Sequence, residues 1–367
     1  MLNQADLTIS NSVSERIQKA KIAFTTRRVD FNACQSLLEN AAPKVGDLVL
    51  ARVEEIGQHA RIELRDGRRA RMYVGDEIVV VYGNRYAPDQ FEAVIPDTLA
   101  PCHLVAAGGI AAQMLTKHQK MKTPTMINPI GLIIDKTGKP LNLSQFALKE
   151  IANIGSRPLT LAIAGTSMNA GKTTTAASLI KGLTAYGMKV GAAKITGTGA
   201  GGDIWFMIDS GADPVLDFVD AGFPSTYLIR FDRIVNILDT LTNYLTRAGV
   251  DVIVLEIADG LYQEETANLL SSKAMSQKVD GLLFAAGEAM GGRAGVEWLN
   301  RLEIPVLALS GALTRSPLAI REVENALNIP VLTKKCLTSP TIAGYLNEWF
   351  PSQGIENVPI LKAVASV

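Results

Sequence analysis

Apolar and polar positions change rhythm twice along this chain. Between residues 12 and 41, Ile17, Ala20 and Phe24, then Phe31, Cys34 and Leu38, recur at helical spacing, which predicts a helical segment with one buried face. From Val45 to about Ile95 the rhythm shortens to that of strands. Val49–Val53, Ala60–Leu64, Ala70–Val74 and Ile78–Tyr82 are short runs, and Asp66-Gly67 is a strong turn signal between the second and third. Several short strands joined by tight turns predict a small barrel of the SH3-like or OB-like kind. Beyond it, Gly108-Gly109 precedes a predicted helix reaching about His118, and Ile130–Asp135 reads as a strand. The stretch 101–150 is a connector or the end of a first domain.

From Arg157 onward, apolar strands alternate with amphipathic helices, the pattern of a parallel sheet covered on both faces. The predicted strands are Leu159–Ala164, Val190–Lys194, Ser225–Ile229, Val252–Glu256, Gly281–Ala285, Val306–Ser310 and Pro330–Leu332. Helices are predicted over Thr173–Tyr186, Ile234–Ala248, Gly295–Arg301 and Pro317–Leu327. The expected architecture is a mostly-β domain over residues 1–150, then an α/β domain over 151–367.

Composition narrows the function without naming it. The chain of 367 residues is 47% hydrophobic and 20% charged, in the ordinary globular range. Lys plus Arg and Asp plus Glu are each 36, so no overall charge draws the protein to nucleic acid or an anionic membrane. Arg61, Arg65, Arg68, Arg69 and Arg71 cluster at the Asp66-Gly67 turn, but Glu63 and Asp66 interleave them, and a solvated hairpin is the simpler account. Three cysteines, Cys34, Cys102 and Cys336, are widely spaced and odd in number, as in a reducing compartment. No basic-then-apolar leader opens the sequence, and no long apolar run suggests a membrane span. The expectation is a cytoplasmic protein.

The chemistry concentrates in one segment. Leu161-Ala162-Ile163-Ala164 runs into Gly165-Thr166-Ser167-Met168-Asn169-Ala170-Gly171-Lys172-Thr173-Thr174, a strand passing through a loop into a helix. The usual phosphate loop has a glycine, four residues, then Gly-Lys-Ser/Thr. Here Thr166 takes the first place, with Gly165 one position earlier. Backbone amides and a helix N-terminus still form an anion cradle. Lys172 can reach the outer phosphates and the Thr173 hydroxyl can ligate magnesium. The loop therefore predicts a nucleoside triphosphate with Mg²⁺, and the fold becomes a P-loop NTPase domain behind a smaller barrel.

This loop resembles that of dethiobiotin synthetase and its relatives in the SIMIBI class of P-loop NTPases. That class includes cobyrinic-acid amidating enzymes, chromosome-partitioning ATPases and GTPases that assist metal-cofactor insertion. The resemblance spans roughly residues 158–335. Lys194, closing Gly191-Ala192-Ala193-Lys194, is similar to the second lysine of dethiobiotin synthetase, and Glu256 to the carboxylate opening its Glu-Gly-Ala-Gly-Gly segment, although Ile257 and Asp259 replace glycines. A carboxylate at the carboxyl end of a sheet strand lies beside the nucleotide crevice. The resemblance makes Asp203, which ends the loop Gly197–Gly202, a third magnesium ligand, with Asp209 and Asp213 competing for that role. Ser167 stands where the partitioning ATPases carry their signature lysine, and no Asn-Lys-x-Asp guanine reader is present. ATP is thus favoured, with GTP still open.

The resemblance implies an enzyme that uses ATP to activate a carboxylate or carbamate of a small metabolite. Lys172, Lys194 and Glu256 would carry catalysis, and Thr173, Glu256 and Asp203 would hold magnesium. A homodimer follows by analogy. The rival is a nucleotide-dependent switch or accessory protein with the barrel as docking module. Gly287–Arg293 reads as a mobile loop or glycine-rich connector, Arg315 as a base contact or solvated cap, and Gly83–Glu92 as a structured turn. Cys102, His103 and His118 lack zinc spacing. His59, His103 and His118, the three histidines, all fall outside the NTPase domain, so chemistry rests on phosphate transfer.

Overall fold

Residues 13–151 and 155–351 are described by a computed structural model. They fall into two compact units. One comprises residues up to Lys149 together with Gly197–Gly202 and Phe218–Leu228; the other comprises Glu150–Thr196, Asp203–Asp217 and the chain from Ile229 onward.

Among the described residues the first unit begins with a helix, α1, over residues 13–19. Eleven strands follow: β1 (Lys21–Ile22), β2 (Ser36–Leu38), β3 (Leu48–Glu55), β4 (Arg61–Glu63), β5 (Arg69–Arg71), β6 (Glu77–Tyr82), β7 (Arg85–Tyr86), β8 (Phe91–Val94), β9 (Cys102–Ala106), β10 (Ile110–Lys117) and β11 (Thr125–Ile134). The order β6-β3-β11-β9-β10 closes on itself through a parallel β6–β10 pairing, so the small barrel is real. Its interior holds Val49, Ala51, Val53, Ile78, Val80, Leu104 and Ile127. Closure removes the edges that such short strands would otherwise expose.

Two expectations fail here. The helix predicted over 12–41 stops at residue 19; Lys21–Ile22 instead pairs with β6, and Ser36–Leu38 pairs with β11. Its part at residue 12 lies outside the described residues. The helix predicted after Gly108-Gly109 is strand β10, because pairing with β9, β8 and β6 outweighs the weak helical bias of Ile110-Ala111-Ala112.

His59 gives this unit a measurable acid sensitivity. Its ring lies 5.8 Å from that of Phe91. Burial, then the charge of Arg85, pushes the imidazole down to about 4. Well above pH 6.5 the imidazole is neutral in both folded and unfolded chains and contributes nothing. Below it the unfolded chain binds the proton first, so stability falls until the folded group titrates. Between pH 7 and pH 5 this loss is about 2 kcal/mol. Buried His103 is lowered too and adds in the same direction. Denaturant unfolding at the two pH values should show His59→Gln losing about 2 kcal/mol less than the unaltered protein; equal losses would refute the assignment.

The second unit is a six-stranded parallel sheet of β12 (Leu159–Gly165), β13 (Val190–Lys194), β14 (Val215–Asp217), β15 (Val252–Glu256), β16 (Gly281–Ala285) and β17 (Val306–Ser310), in the order β14-β13-β15-β12-β16-β17. Its helices are α2 (Lys172–Tyr186), α3 (Gly202–Asp209), α4 (Phe231–Arg247), α5 (Glu264–Leu270), α6 (Lys273–Lys278), α7 (Ala289–Leu299), α8 (Pro317–Ala326), α9 (Lys334–Thr338) and α10 (Ile342–Trp349). Leu159, Leu161 and Ile163 of β12 meet Ala176, Leu179, Ile180 and Leu183 of α2 and Ile342, Ala343 and Leu346 of α10 in one core cluster. The amphipathic α4 buries Ile234, Ile237, Leu238, Leu241 and Leu245, and packs on β13 and β15.

Predicted strand Ser225–Ile229 is not one: Ser225 makes a single bridge to Thr198, and the segment to Leu228 belongs to the first unit. Pro330–Leu332 reduces to a bridge between Val331 and Leu309. Gly287–Arg293 is no mobile connector but the start of α7, with Glu288 accepting from the amides of Met290 and Gly291 as its cap. Among the described residues no helix is long and apolar enough to cross a membrane.

Candidate functional site

Parallel register brings the chemistry to one edge of the sheet. Lys194 and Glu256 are direct neighbours across β13 and β15, and Glu256 also faces Ile163, two residues before β12 ends at Gly165. The side chains that end β13 and β15 therefore lie beside the end of β12, where it leads through the loop into α2. Ligands of open parallel sheets bind at this end.

The turn is built by glycine. Gly171 caps α2 at φ +100°, and a side chain there would come within 2.9 Å of Gly311 Cα. Gly260, after β15, packs so closely that a Cβ would lie 2.5 Å from the Thr166 carbonyl oxygen. No side chain caps α2 and no acid sits in its first turn, so the amides of that turn remain as donors to an anion. Lys172 is buried, and its ammonium donates to the Ser167 carbonyl at 2.8 Å across the loop. Burial above all lowers its pKa, although Glu256 and Asp259 oppose that shift.

Beside the loop, the Thr173 hydroxyl lies 3.0 Å from Glu256 Oε1 and 3.1 Å from Asp203 Oδ1. One hydroxyl proton serves one acceptor at a time, so oxygen lone pairs are left over. Glu256 is 1% exposed, and its Oε2 is buried with no hydrogen-bond partner. An orphaned carboxylate oxygen beside two further oxygen donors fits a small hard cation. No group of three or more His, Cys, Asp or Glu side chains suited to a metal occurs among the described residues. Two carboxylates and a hydroxyl suit Mg²⁺, which keeps waters and takes phosphate oxygens rather than a full protein cage.

Electrostatics tie these groups together. Burial would lower the Lys194 ammonium, but Asp203 and Glu256 outweigh it and hold it above the usual lysine value. Burial would raise Asp203, but its ion pair with Lys194 keeps it below the usual carboxylate range. Glu256 is pushed up to about 7, by burial first and by Asp203 second. Asp209, the last residue of α3, and Asp213 are exposed and are not brought to Thr173.

A cavity of about 330 Å³ continues from the loop, lined by Gly171, Thr174, Ser310, Thr314, Arg315 and Lys334 among others. Arg315, read from the sequence as a base contact or a solvated cap, lines this cavity. Phe206 also lines the cavity, and neither it nor Lys334 carried a sequence signal; only the meeting of α3 and α9 beside α2 reveals them. Gly291 of α7 comes close to Thr166, while Arg293 is paired with Glu297 along the helix, 2.8 Å away.

A parallel sheet whose central strand runs through Gly-Lys-Thr into a helix, flanked by a strand ending in a carboxylate, defines the second unit as a P-loop NTPase fold. No protein-family model matches the chain, and no curated protein matches it. Among solved structures it is similar to the signal recognition particle receptor FtsY of Elizabethkingia anophelis in complex with GDP, at 14% identity and a TM-score of 0.36, covering 52% of this chain and 60% of that one. Chloroplast FtsY of Physcomitrella patens is 21% identical with a TM-score of 0.35, covering 52% and 62%. The chain spans about three fifths of the length of these receptors. The fold assignment rests on strand order and loop geometry, and no likeness singles out dethiobiotin synthetase.

Proposed function

We propose that the second unit binds a nucleoside triphosphate with Mg²⁺ and hydrolyses it, and that its output is a nucleotide-dependent change of state serving a partner or an assembly step. The observation that carries the reading is the convergence of Thr173, Asp203 and the orphaned Glu256 oxygen beside Lys172. In this reading the loop amides from Gly165 to Thr174 and the Lys172 ammonium hold the phosphates and stabilise charge on the transferring group. Thr173, Asp203 and Glu256 would hold Mg²⁺, which when bound neutralises phosphate charge. Lys194 orients Asp203.

Two features favour a switch over a ligase. Lys194, which ligation would use to bind a substrate anion, is engaged by Asp203. Asp203 itself directly follows a loop, Gly197–Gly202, that belongs to the other unit, so a group at the metal is joined by a single peptide bond to structure elsewhere. ATP is the first nucleotide to test and GTP the second.

The test is binding of fluorescent ATP and GTP analogues with Mg²⁺ or EDTA, followed by phosphate release. The expected result is Mg²⁺-dependent binding of at least one nucleotide and slow release that a protein partner accelerates. Acceleration by a small carboxylic acid would restore the ligase reading. Binding of neither nucleotide would end both.

A further inference from the structure

The hairpin of β4 and β5 departs from the charge-balanced, solvated turn that its sequence suggests. Ile62, Ala70 and Met72 are buried in the barrel core, and alternation puts Arg61, Glu63, Arg69, Arg71 and Tyr73 on the other face. Register sets Arg61 directly opposite Arg71, and Glu63 opposite Arg69. The two acids that interleave these arginines in sequence are engaged otherwise. Glu63 is 1% exposed and accepts a hydrogen bond at 2.9 Å from the amide of Gly201, which belongs to the same unit. Asp66 sits at the turn, where its Oδ1 accepts from the Arg68 amide at 3.0 Å. Arg61 thus faces an arginine where an acid would have stabilised the pair. Like charges directly opposite on paired strands destabilise them, and solvation alone gives a hairpin no reason to keep such a pair.

The composition of the face indicates what would offset that cost. Every cation between Ala60 and Gly75 is an arginine. A guanidinium binds phosphate oxygens through two parallel hydrogen bonds and stacks on flat rings, which an ammonium does not. Arg69 and Arg71 are exposed, and Tyr73, 63% exposed, continues their row at steps of about 6.5 Å. Strand pairing persists that far, since the Met72 amide donates to the Ala60 carbonyl at 3.1 Å. A row of phosphate-binding cations that ends in an exposed ring suits a strand with unpaired bases, because a duplex hides its base faces within its own stack. Arg65 is occupied elsewhere, donating to the Arg27 carbonyl at 2.6 Å with its guanidinium over the Phe31 ring.

We infer that the arginine face of this hairpin binds single-stranded nucleic acid, with Arg61, Arg69 and Arg71 on the phosphates and Tyr73 against a base. The site lies wholly within the first unit and is independent of the proposed nucleotide site. A chain of zero net charge adds no long-range attraction, so these few groups set the salt dependence.

The experiment titrates the full chain against fluorescein-labelled oligo(U) and oligo(dT), a labelled duplex of the same length, and vesicles containing phosphatidylserine. Three phosphate contacts predict single-strand binding that weakens about 20-fold for a fourfold rise in salt. Replacing both opposed arginines, Arg61→Thr with Arg71→Thr, should reduce that loss to about threefold. The same change removes the like-charged pair, so the thermal midpoint should stay level or rise. Tyr73→Ala, a change at an exposed side chain, should weaken binding about tenfold and leave the salt dependence as it was. Binding of either single strand in this pattern supports the inference, and the tighter of the two identifies RNA or DNA. Three results would overturn it: binding of neither strand at low salt, binding that persists unchanged in the doubly substituted protein, or preference for duplex or vesicles over single strands.

Discussion

Lys172→Ala is expected to reduce phosphate release by about a hundred- to a thousandfold while shifting the thermal midpoint by no more than about 2 °C. The two readouts should diverge because, in the proposed function, Lys172 serves a ligand more than the fold. Its ammonium is buried and held by a single carbonyl, that of Ser167, and burial already works against its charge. Removing it relieves that cost and leaves the β12 core below the loop untouched. With nucleotide present the balance reverses, since no other group on α2 can place a cation over the outer phosphates. Lys181, exposed on the same helix, is the control, and Lys181→Ala should release phosphate at the normal rate. Full turnover by Lys172→Ala would remove the basis of the proposed function.

Glu256→Gln should separate stability from function in the opposite sense. The carboxylate is fully enclosed and one oxygen has no partner. Burial and the neighbouring Asp203 disfavour its charge despite two nearby lysines. A neutral side chain of the same shape therefore costs the fold nothing and can stabilise it. The thermal midpoint should stay level or rise by about 2–4 °C, while Mg²⁺-dependent phosphate release falls by about a hundredfold. A variant that lost stability and kept its Mg²⁺ response would show Glu256 to be a structural acid.

The parts of the fold that were legible in the sequence are those where one local pattern decides the structure. β13, β15, β16 and β17 have the boundaries read from the sequence, and β12 is one residue longer, because a strand covered on both faces is a continuous apolar run that stops at a turn. The strand–loop–helix from Leu159 to Tyr186 was legible for the same reason, since its parts are consecutive. Where distant pairing decides, local pattern misleads. Ile17, Ala20 and Phe24 have helical spacing, yet Ala23 and Phe24 lie beyond the end of α1, where the chain joins the barrel. β14, only three residues long, is too short to carry a pattern at all. At the site, motif reasoning supplied Lys172, Thr173, Lys194 and Glu256 as candidates and left three aspartates in competition. Only the fold shows that Asp203 alone of the three stands beside Thr173. Phe206 and Lys334 were invisible because nothing in linear spacing says which helix ends converge on a cavity.

Because Gly197–Gly202 and Phe218–Leu228 complete the unit otherwise made by the first 149 residues, neither unit is a continuous length of polypeptide. A gene fragment ending at residue 149 would encode a barrel missing the strap that fills the space above Gly108. A fragment starting at residue 150 would carry two stretches evolved to lie elsewhere. A single crossover therefore cannot exchange either unit whole for a foreign counterpart.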